Sequence, residues 1–315
     1  MTAERSHGSS LPPNVAGTVV TVGTFDGVHL GHQDVIHRLA ARAAELGLPS
    51  VLVTFEPHPL EVVNPAAAPA LLTPGLERLE ALAETGVDYV AVVPFTPALA
   101  AYEAADFVDL VLRDRLRMRE LLIGHDHGMG RGRAGDAEVL TALGAERGFG
   151  VDVVPPGSAT DGEGPPVSST EIRRAIASGD LDRAALGLGR RYSASGRVVH
   201  GEARGRLLGY PTLNVELPSP RKLLPPEGVY AVRVQTPRGP FGGMMNLGPR
   251  PTFGDARVGL EAHVFDAAGE FYGAWVRVDF VARLRDVQRF PSTDALVEQL
   301  GRDAAEARRA LARVR

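Results

Sequence analysis

The sequence predicts an α/β protein of two domains, in which a parallel sheet covered by helices is followed by a small antiparallel β-barrel and a final helix. Three observations support this fold class. The chain has 315 residues, 44% of them hydrophobic, which at about 150 residues per domain is enough for two cores. Its first half alternates apolar strands with amphipathic helices. Its second half has short strands separated by Gly and Pro.

The first half is interpreted as five strands with helices between them. Fully apolar strands joined by amphipathic helices are typical of parallel sheets covered on both faces. The predicted order is strand 18–22, helix 31–46, strand 50–55, helix 75–85, strand 89–93, helix 104–118, strand 121–123, helix 136–147 and strand 151–154. Ligands of such sheets bind beyond the carboxyl ends of the strands. The loops that follow Val22, Phe55 and Ile123 are therefore the candidate ligand site.

The second half begins after a helical stretch that starts at Ser168 and ends near Gly187. We predict one domain over 18–186 and a second over 187–315, and we expect the residues before Thr18 to be disordered. The predicted strands of the second domain are 197–200, 229–235, 241–247, 260–265 and 274–280, before a helix over 293–313. Their lengths and spacing are those of a small antiparallel barrel.

The composition excludes several classes of function. The net charge of −4 provides no general basic field for nucleic acid or anionic lipid. The absence of cysteine excludes disulfides, thiolate metal sites and cysteine nucleophiles. Neither an apolar leader core nor a run of about 18 apolar residues is present, so we expect a cytoplasmic protein without nucleic-acid or membrane partners. Lys222 is the only lysine, so cationic phosphate contacts must come mainly from arginine.

The loop GTFDGVHLGH, residues 23–32, lies between a strand and a helix and predicts a triphosphate cradle. Its glycines permit positive φ and let backbone amides approach an anion, and the helix N-terminus adds its dipole. His29 and His32 are three residues apart at the start of the helix, so both imidazoles project on one side and could donate to phosphate. The alternative is a pair of capping or core histidines.

The loop IGHDHGMGRGRAGD, residues 123–136, is also suited to phosphate, because glycines expose the backbone and Arg131 and Arg133 offer bidentate charge. Asp126 could bind a ribose or a base edge, or it could cap the turn. A solvated arginine-bearing loop is the structural alternative. A zinc site is the remaining alternative, formed by the histidines at positions 29, 32, 125 and 127.

The stretch PVSSTEIRR, residues 166–174, begins a helix with hydroxyl side chains. Its hydroxyls and amides can form an anion site, and Arg173 follows Thr170 by three residues on the same helix face. A simple N-cap is the equal alternative.

Two motifs of the second half offer oxygen ligands and a base. In GRLLGYPTLN, residues 205–214, Thr212 and Asn214 would face one way on an extended strand and could share one Mg²⁺. In LEAHVFD, Glu261 and His263 lie on one strand face, opposite Ala262 and Val264, and one of the two is the candidate general base.

Taken in order, these motifs resemble those of the bifunctional prokaryotic riboflavin kinase/FMN adenylyltransferases, also called FAD synthetases, from about Val19 to the final helix. GTFDGVHLGH is similar to the HxGH signature of nucleotidylyltransferases in general. Similar to the flavin branch are TFEPHP, LLTPGLERLEALAETGVDYV, IGHDHGMGRGRAGD and SSTEIR. Similar to the riboflavin kinase module are GRLLGYPTLNVEL, MNLGPRPTFG, LEAHVFD and FYG. The sequence departs from the family at Met129, where an aromatic residue is commoner, and at Val287, where an acidic one is.

The resemblance implies a Rossmann-like nucleotidylyltransferase domain followed by a riboflavin kinase barrel. The barrel would phosphorylate riboflavin with ATP and Mg²⁺ to FMN, and the first domain would transfer AMP from a second ATP to FMN, giving FAD and pyrophosphate. The implied partners are riboflavin, FMN and ATP, with self-association left open.

The resemblance also assigns the site residues. Catalytic roles fall to Glu261 as kinase base and to His29 and His32 in adenylyl transfer. The adenylyltransferase ATP and phosphate ligands would be Gly23, Phe25, Asp26, Gly31, Asp126, Arg131, Ser169, Thr170 and Arg173. The kinase ATP and flavin ligands would be Gly205, Gly209, Pro211, Thr212 and Asn214, with Thr212 and Asn214 on Mg²⁺.

Two other functions fit part of the sequence. A nucleotidylyltransferase acting on another phosphorylated substrate would lack the kinase motifs after Asn214. A flavin-binding protein without turnover would not need His29, His32 and Glu261.

Overall fold

A computed structural model describes residues 11–155, 167–201, 204–249, 258–267 and 269–314 of the chain. These residues form two compact units that are divided between Ser168 and Ser169. Two motif segments lie outside the described residues: Pro166 of PVSSTEIRR and residues 250–254 of MNLGPRPTFG.

The first unit is built on a five-stranded parallel sheet. Its strands are β1 Thr18–Val22, β2 Ser50–Glu56, β3 Tyr89–Pro94, β4 Met118–Gly124 and β5 Gly150–Val154. Its helices are α1 Leu30–Leu46, α2 Pro59–Val63, α3 Leu76–Ala83, α4 Pro97–Ala100, α5 Ala104–Phe107 and α6 Ala137–Arg147. The strand order is β3-β2-β1-β4-β5, and all neighbours run parallel. The parallel sheet predicted from the sequence is confirmed.

Helices cover both faces of this sheet, as the apolar strands predict. Val19 of β1 packs with Leu39 of α1 on one face. On the other face Val20 packs in a cluster that includes Phe107 and Leu112. Successive residues of a strand point to opposite faces, so a strand buried on both faces must be apolar throughout.

Two sequence expectations about the first unit are wrong. The helix predicted over 104–118 ends early, because α5 continues only as a wider π-helical segment over Val108–Arg113 and Met118 already belongs to β4. Arg117 forms the turn between them with φ +50°. Residues 11–17, which were expected to be disordered, are ordered, because Leu11 and Val15 are buried in the core.

The second unit begins with two helices and closes into a barrel. Its elements are α7 Ser169–Ala177, α8 Leu181–Leu188, β6 Ser193–Val199, α9 Arg204–Leu207, β7 Leu213–Glu216, β8 Gly228–Thr236, β9 Gly239–Pro249, β10 Val258–Val264, β11 Trp275–Arg285 and α10 Thr293–Arg313. The barrel is antiparallel with order β10-β7-β6-β11-β8-β9. The predicted barrel and C-terminal helix are confirmed. β7 was not among the five predicted barrel strands, although it includes Asn214, which was expected to lie on an extended strand.

Two buried charged side chains of this unit, Asp303 and Lys222, have partners that compensate their burial. Helix α10 docks on the barrel through Asp303, which is 1% exposed and accepts three hydrogen bonds from Arg285, at 2.9, 3.1 and 2.7 Å. Lys222 is 6% exposed; its ammonium group donates to the Ser193 carbonyl and lies 4.3 Å from the centroid of the Tyr192 ring. These contacts compensate the desolvation of each charge.

Candidate active sites

The first candidate site lies where the strand order of the first unit's sheet reverses. From β1 the chain adds β2 and β3 on one side, and β4 and β5 on the other. The carboxyl ends of β1 and β4 are therefore neighbours at the topological switch point, the usual ligand position in an open α/β sheet. The two glycine-rich loops predicted to bind phosphate, residues 23–29 and 125–136, follow these two strand ends.

The two histidines of the first loop stack on one another. His29 is the N-cap of α1, and its Nδ1 accepts a hydrogen bond from the His32 backbone N–H at 3.3 Å. The two rings lie 3.7 Å apart at an interplanar angle of 18°, and the Phe25 ring lies 5.1 Å from that of His32. Both imidazoles thus project on one side, as the spacing predicts. Because Nδ1 of His29 serves the cap, any donation to phosphate falls to its Nε2.

The backbone of this loop is strained. Phe25 and Val28 have φ of +49° and +42°, values that L-residues rarely adopt and that are least favourable for a β-branched side chain. Gly27 has φ +89°, and its N–H donates to the Thr73 hydroxyl at 2.8 Å. Such strain costs about 1–3 kcal/mol per residue and persists only where surrounding contacts enforce it.

Asp26 provides part of that enforcement. Its carboxylate is 1% exposed and accepts hydrogen bonds from the backbone N–H groups of Leu72 and Thr73, both at 2.9 Å. The side chain thus ties the loop to the segment before α3. Its assignment as a nucleotide ligand stays a prediction.

Arg78 on α3 provides a second tie that sequence reasoning missed. This guanidinium is 3% exposed and donates to the carbonyls of Thr24 at 3.1 Å and Phe55 at 2.8 Å, and to the Glu56 carboxylate at 2.7 Å. Burial lowers the pKa of Arg78, and the Glu56 charge opposes that effect. The residue joins the ends of β1 and β2, but nothing in the sequence distinguishes it from a surface arginine of an amphipathic helix.

The loop after β4 is shaped by close packing. A Cβ on Gly130 would lie 2.6 Å from the Ala104 backbone nitrogen, and one on Gly135 would lie 2.5 Å from the Ala104 Cβ. Met129 and Gly135 exchange backbone hydrogen bonds of 3.0 and 2.9 Å, which close the loop between them. These two glycines are therefore required by packing against α5.

The charged residues of this loop are at its surface. Arg131 forms an exposed 2.6 Å ion pair with Glu103, and Arg133 donates to the Asp126 carbonyl at 2.9 Å. Burial, with the Arg133 charge as the second cause, lowers the pKa of His127 to about 4, so this ring is neutral at pH 7. Within the described residues, no three His, Asp or Glu side chains are grouped to hold a metal ion, and the zinc alternative gains no support there.

The SSTEIRR motif forms the start of α7. Ser169 and Thr170 are the first two residues of this nine-residue helix, and Arg173 lies one turn further on. Ile172 is buried, which orients the helix within the second unit.

The second candidate site is a row of polar residues across three barrel strands. Glu261 of β10 lies directly opposite Asn214 of β7 and opposite Asn246 of β9. Side chains of directly opposed residues share a face of the sheet. Leu260 and Ala262 are fully buried, so the predicted alternation along β10 is confirmed and Glu261 lies on the other face. Asn246 was missed because strand register cannot be read from one strand alone.

The segment before β7 is a tight turn. A Cβ on Gly205 would lie 2.3 Å from the Tyr210 carbonyl oxygen, and Gly209 has φ +79°. Both positions therefore require glycine. Strand β7 begins at Leu213, so Thr212 precedes the strand and only Asn214 lies within it. The predicted pairing of the two side chains on one strand face stays a prediction, because Thr212 lies just outside the strand.

None of the helices in the described part of the chain combines the length and the apolar character needed to cross a membrane.

Comparisons with known proteins match both halves of the chain. The FAD synthetase family matches residues 11–171, and the riboflavin kinase family matches residues 188–311. The bifunctional riboflavin kinase/FMN adenylyltransferase of Pseudomonas fluorescens is 42% identical over 300 residues, which are 95% of this chain and 94% of that protein. Its counterpart in Escherichia coli K12 is 41% identical over 303 residues, covering 96% and 95%.

A solved structure has the same fold over nearly the whole chain. A crystal structure described as a macrolide-efflux protein from Streptococcus pneumoniae has a TM-score of 0.80 and 32% sequence identity, and the match covers 95% of each chain. The two family matches follow one another along the chain, and the full-length relatives have both activities in their names. This chain belongs to the bifunctional riboflavin kinase/FMN adenylyltransferase family.

Proposed function

We propose that the two activities of this bifunctional enzyme use the two candidate sites described above. Riboflavin phosphorylation is assigned to the barrel, with Glu261 as general base, and FMN adenylylation to the loop after β1, with His29 and His32 beside the phosphates. The observation that carries the kinase assignment is the register that sets Glu261 opposite Asn214.

The kinase step needs a base because the nucleophile is a neutral ribityl hydroxyl. Glu261 would accept the hydroxyl proton as the ribityl oxygen bonds to the γ-phosphorus of ATP, and the bond to the β,γ-bridging oxygen breaks to release ADP. The neighbouring amides of Asn214 and Asn246 can donate to the carboxylate or to the phosphates.

Magnesium fits the residues present. Thr212 and Asn214 offer neutral oxygen atoms, the ligand type that Mg²⁺ prefers, and the described residues contain no carboxylate cage that would compete with a nucleotide-bound ion. Thr212 and Asn214 would hold the ion together with ATP phosphates. When bound, Mg²⁺ neutralises charge that develops on the phosphates.

The adenylyl step needs no protein nucleophile. A phosphate oxygen of FMN attacks the α-phosphorus of ATP, and the bond to the β-phosphate breaks to release pyrophosphate. The stacked rings of His29 and His32 and the N-terminus of α1 would stabilise this charge. The further ATP and phosphate ligands assigned by the resemblance are Gly23, Phe25, Asp26, Gly31, Asp126, Arg131, Ser169, Thr170 and Arg173.

The remaining assignments are also proposals. We assign residues 18–186 to adenylylation and 187–315 to the kinase, in a cytoplasmic protein without nucleic-acid or membrane partners. The lack of cysteine and the use of ATP support that location. A fragment of residues 1–186 should convert FMN to FAD and leave riboflavin unchanged; a folded fragment without adenylylation would refute this boundary.

The kinase assignment is tested by following FMN and FAD by chromatography after mixing protein, riboflavin and ATP across a range of Mg²⁺ concentrations. Wild-type protein should form FMN first and FAD second. Thr212→Ala and Asn214→Ala should each raise the Mg²⁺ concentration needed for half-maximal FMN formation by at least about tenfold. Even the loss of a group that only supports a metal ligand typically weakens metal binding by about 10- to 100-fold. Unchanged Mg²⁺ dependence in both variants would contradict the metal assignment.

A further inference from the structure

His263 makes one hydrogen bond that bears directly on the kinase site. Its Nδ1 lies 2.8 Å from the carbonyl oxygen of Pro211, one residue before Thr212. A carbonyl only accepts, so Nδ1 carries the proton and donates. In the neutral ring, Nε2 is then the basic nitrogen.

The hydrogen bond from His263 lies just beyond the end of the pairing between β7 and β10. The pairing of β7 with β10 reaches Leu213 opposite Ala262 and goes no further. His263 is the next residue on β10, and its side chain reaches across to Pro211. A side-chain hydrogen bond thus connects the segment before β7 to β10 beyond the last paired residues.

Aromatic neighbours fix the orientation of the ring. The His263 ring packs edge-on against Tyr210, with centroids 5.2 Å apart, and against Phe265, with centroids 5.7 Å apart. Phe265 in turn lies under the guanidinium of Arg308 at 4.3 Å, and Arg308 forms two hydrogen bonds with Asp266. The ring is therefore held from β10 and from α10 in the rotamer that points Nδ1 at the turn.

We propose that His263 is a positioning residue for riboflavin phosphorylation, which holds the Pro211 carbonyl and so keeps Thr212 and Asn214 beside Glu261. This inference rests on the proposed roles of those three residues. In this proposal the two candidate bases on β10 have different roles: Glu261 lies in the row with Asn214, while His263 holds the turn through Nδ1 and has only Nε2 left as an acceptor.

Two amide variants test the donor at Nδ1 directly. In His263→Asn the amide nitrogen lies at the level of Nδ1 and can still donate to the Pro211 carbonyl, whereas in His263→Gln it lies at the level of Nε2 and misses it. We expect the Gln protein to lose about 5- to 10-fold in kcat/KM for riboflavin phosphorylation, the scale of one net hydrogen bond, with a raised Mg²⁺ requirement. The Asn protein should stay within about twofold of wild type.

FMN adenylylation by the same proteins is the internal control and should not change. The pH profile of kinase kcat should keep its shape in both variants, because neither removes the base. If Asn and Gln are equally impaired and the acidic limb of the profile disappears, His263 is the base and the proposal fails. If the Gln protein matches wild type, the hydrogen bond positions nothing and the proposal also fails.

The outcome is separable from the metal assignment. Failure of the Mg²⁺ proposal would show as unchanged Mg²⁺ dependence in Thr212→Ala and Asn214→Ala, whatever the His263 variants do. If His263→Gln fails to fold, His263→Phe, which keeps the ring packing and lacks the donor, replaces it with the same expected loss.

Discussion

The two segments that we propose to bind phosphate are held in different ways. The loop after β1 is tied by buried polar groups, namely the carboxylate of Asp26 at 1% exposure and the guanidinium of Arg78 at 3%. The turn that carries Pro211 and Thr212 is tied by the exposed hydrogen bond from His263 and by the close approach of Gly205 to Tyr210.

This difference in burial predicts a difference in rigidity. A buried hydrogen bond is costly to break because water cannot reach the two separated groups. An exposed hydrogen bond is replaced by hydrogen bonds to water. The loop after β1, here called the adenylyl loop, should therefore be preformed before ATP binds. The turn that carries Pro211 and Thr212 should be the more easily disturbed of the two.

The largest expected effect is on the kinase side. Glu261→Gln is nearly isosteric and should lower kcat for riboflavin phosphorylation by about 10²- to 10⁴-fold, the usual range for a general base, with a smaller change in riboflavin affinity. Steady-state assays with riboflavin and ATP measure the loss, and FMN adenylylation by the same protein is the control. A variant with normal kcat would return the role of base to His263 or to metal activation alone.

The buried hydrogen bonds of the adenylyl loop should contribute more to the free energy of unfolding than an exposed ion pair does. Asp26→Ala leaves the backbone N–H groups of Leu72 and Thr73 without their acceptor and should lower the free energy of unfolding by about 2–5 kcal/mol. Glu298→Ala, which breaks the exposed pair with Arg302 within helix α10, is the control and should cost at most about 1 kcal/mol. Urea unfolding followed by circular dichroism measures both, and equal losses would break the comparison.

His32→Ala tests the chemistry of the preformed loop. Removal of a donor that acts on the transition state should raise the barrier to adenylylation by about 2–4 kcal/mol. FMN should then accumulate when the protein is given riboflavin and ATP. Normal FAD output would mean that the stacked pair of His29 and His32 serves only the helix cap.

The last expected effect is confined to acidic pH. Burial holds the pKa of His127 at about 4, below the 6.5 of an ordinary histidine. Between these values the unfolded chain binds more protons, so this contribution to stability is complete above pH 6.5 and is lost as the pH falls towards 4. The slope is at most about 1.4 kcal/mol per pH unit. In His127→Phe the free energy of unfolding, measured by circular dichroism, should decline less steeply as the pH falls across this range. A slope equal to that of the wild type would contradict the prediction.

Periodicity and loop chemistry in the sequence predict much of this arrangement. Local patterns with periods of 3.6 or 2 residues predict three features. These are the parallel sheet, the projection of the His29 and His32 rings on the same side, and the alternation of Glu261 with buried neighbours. The helix predicted over 104–118 failed because a wide turn and a left-handed Arg117 interrupt the pattern.

The contacts that local patterns cannot predict join distant residues. Asp26 meets a segment 46 residues away, and Arg78 meets Thr24 across 54 residues. The position of Asn246 beside Glu261 depends on the register of β9 against β10. Such pairings depend on tertiary packing, which a single sequence does not contain.

The single lysine offers a reporter of barrel opening. Lys222 is the only position in the chain at which a lysine-specific protease can cut, and its side chain is buried against Tyr192. Cleavage there requires local opening of the folded barrel. The rate of appearance of the two cleavage products therefore measures how often this part of the barrel opens, and added riboflavin or nucleotide that stabilises the barrel should slow it.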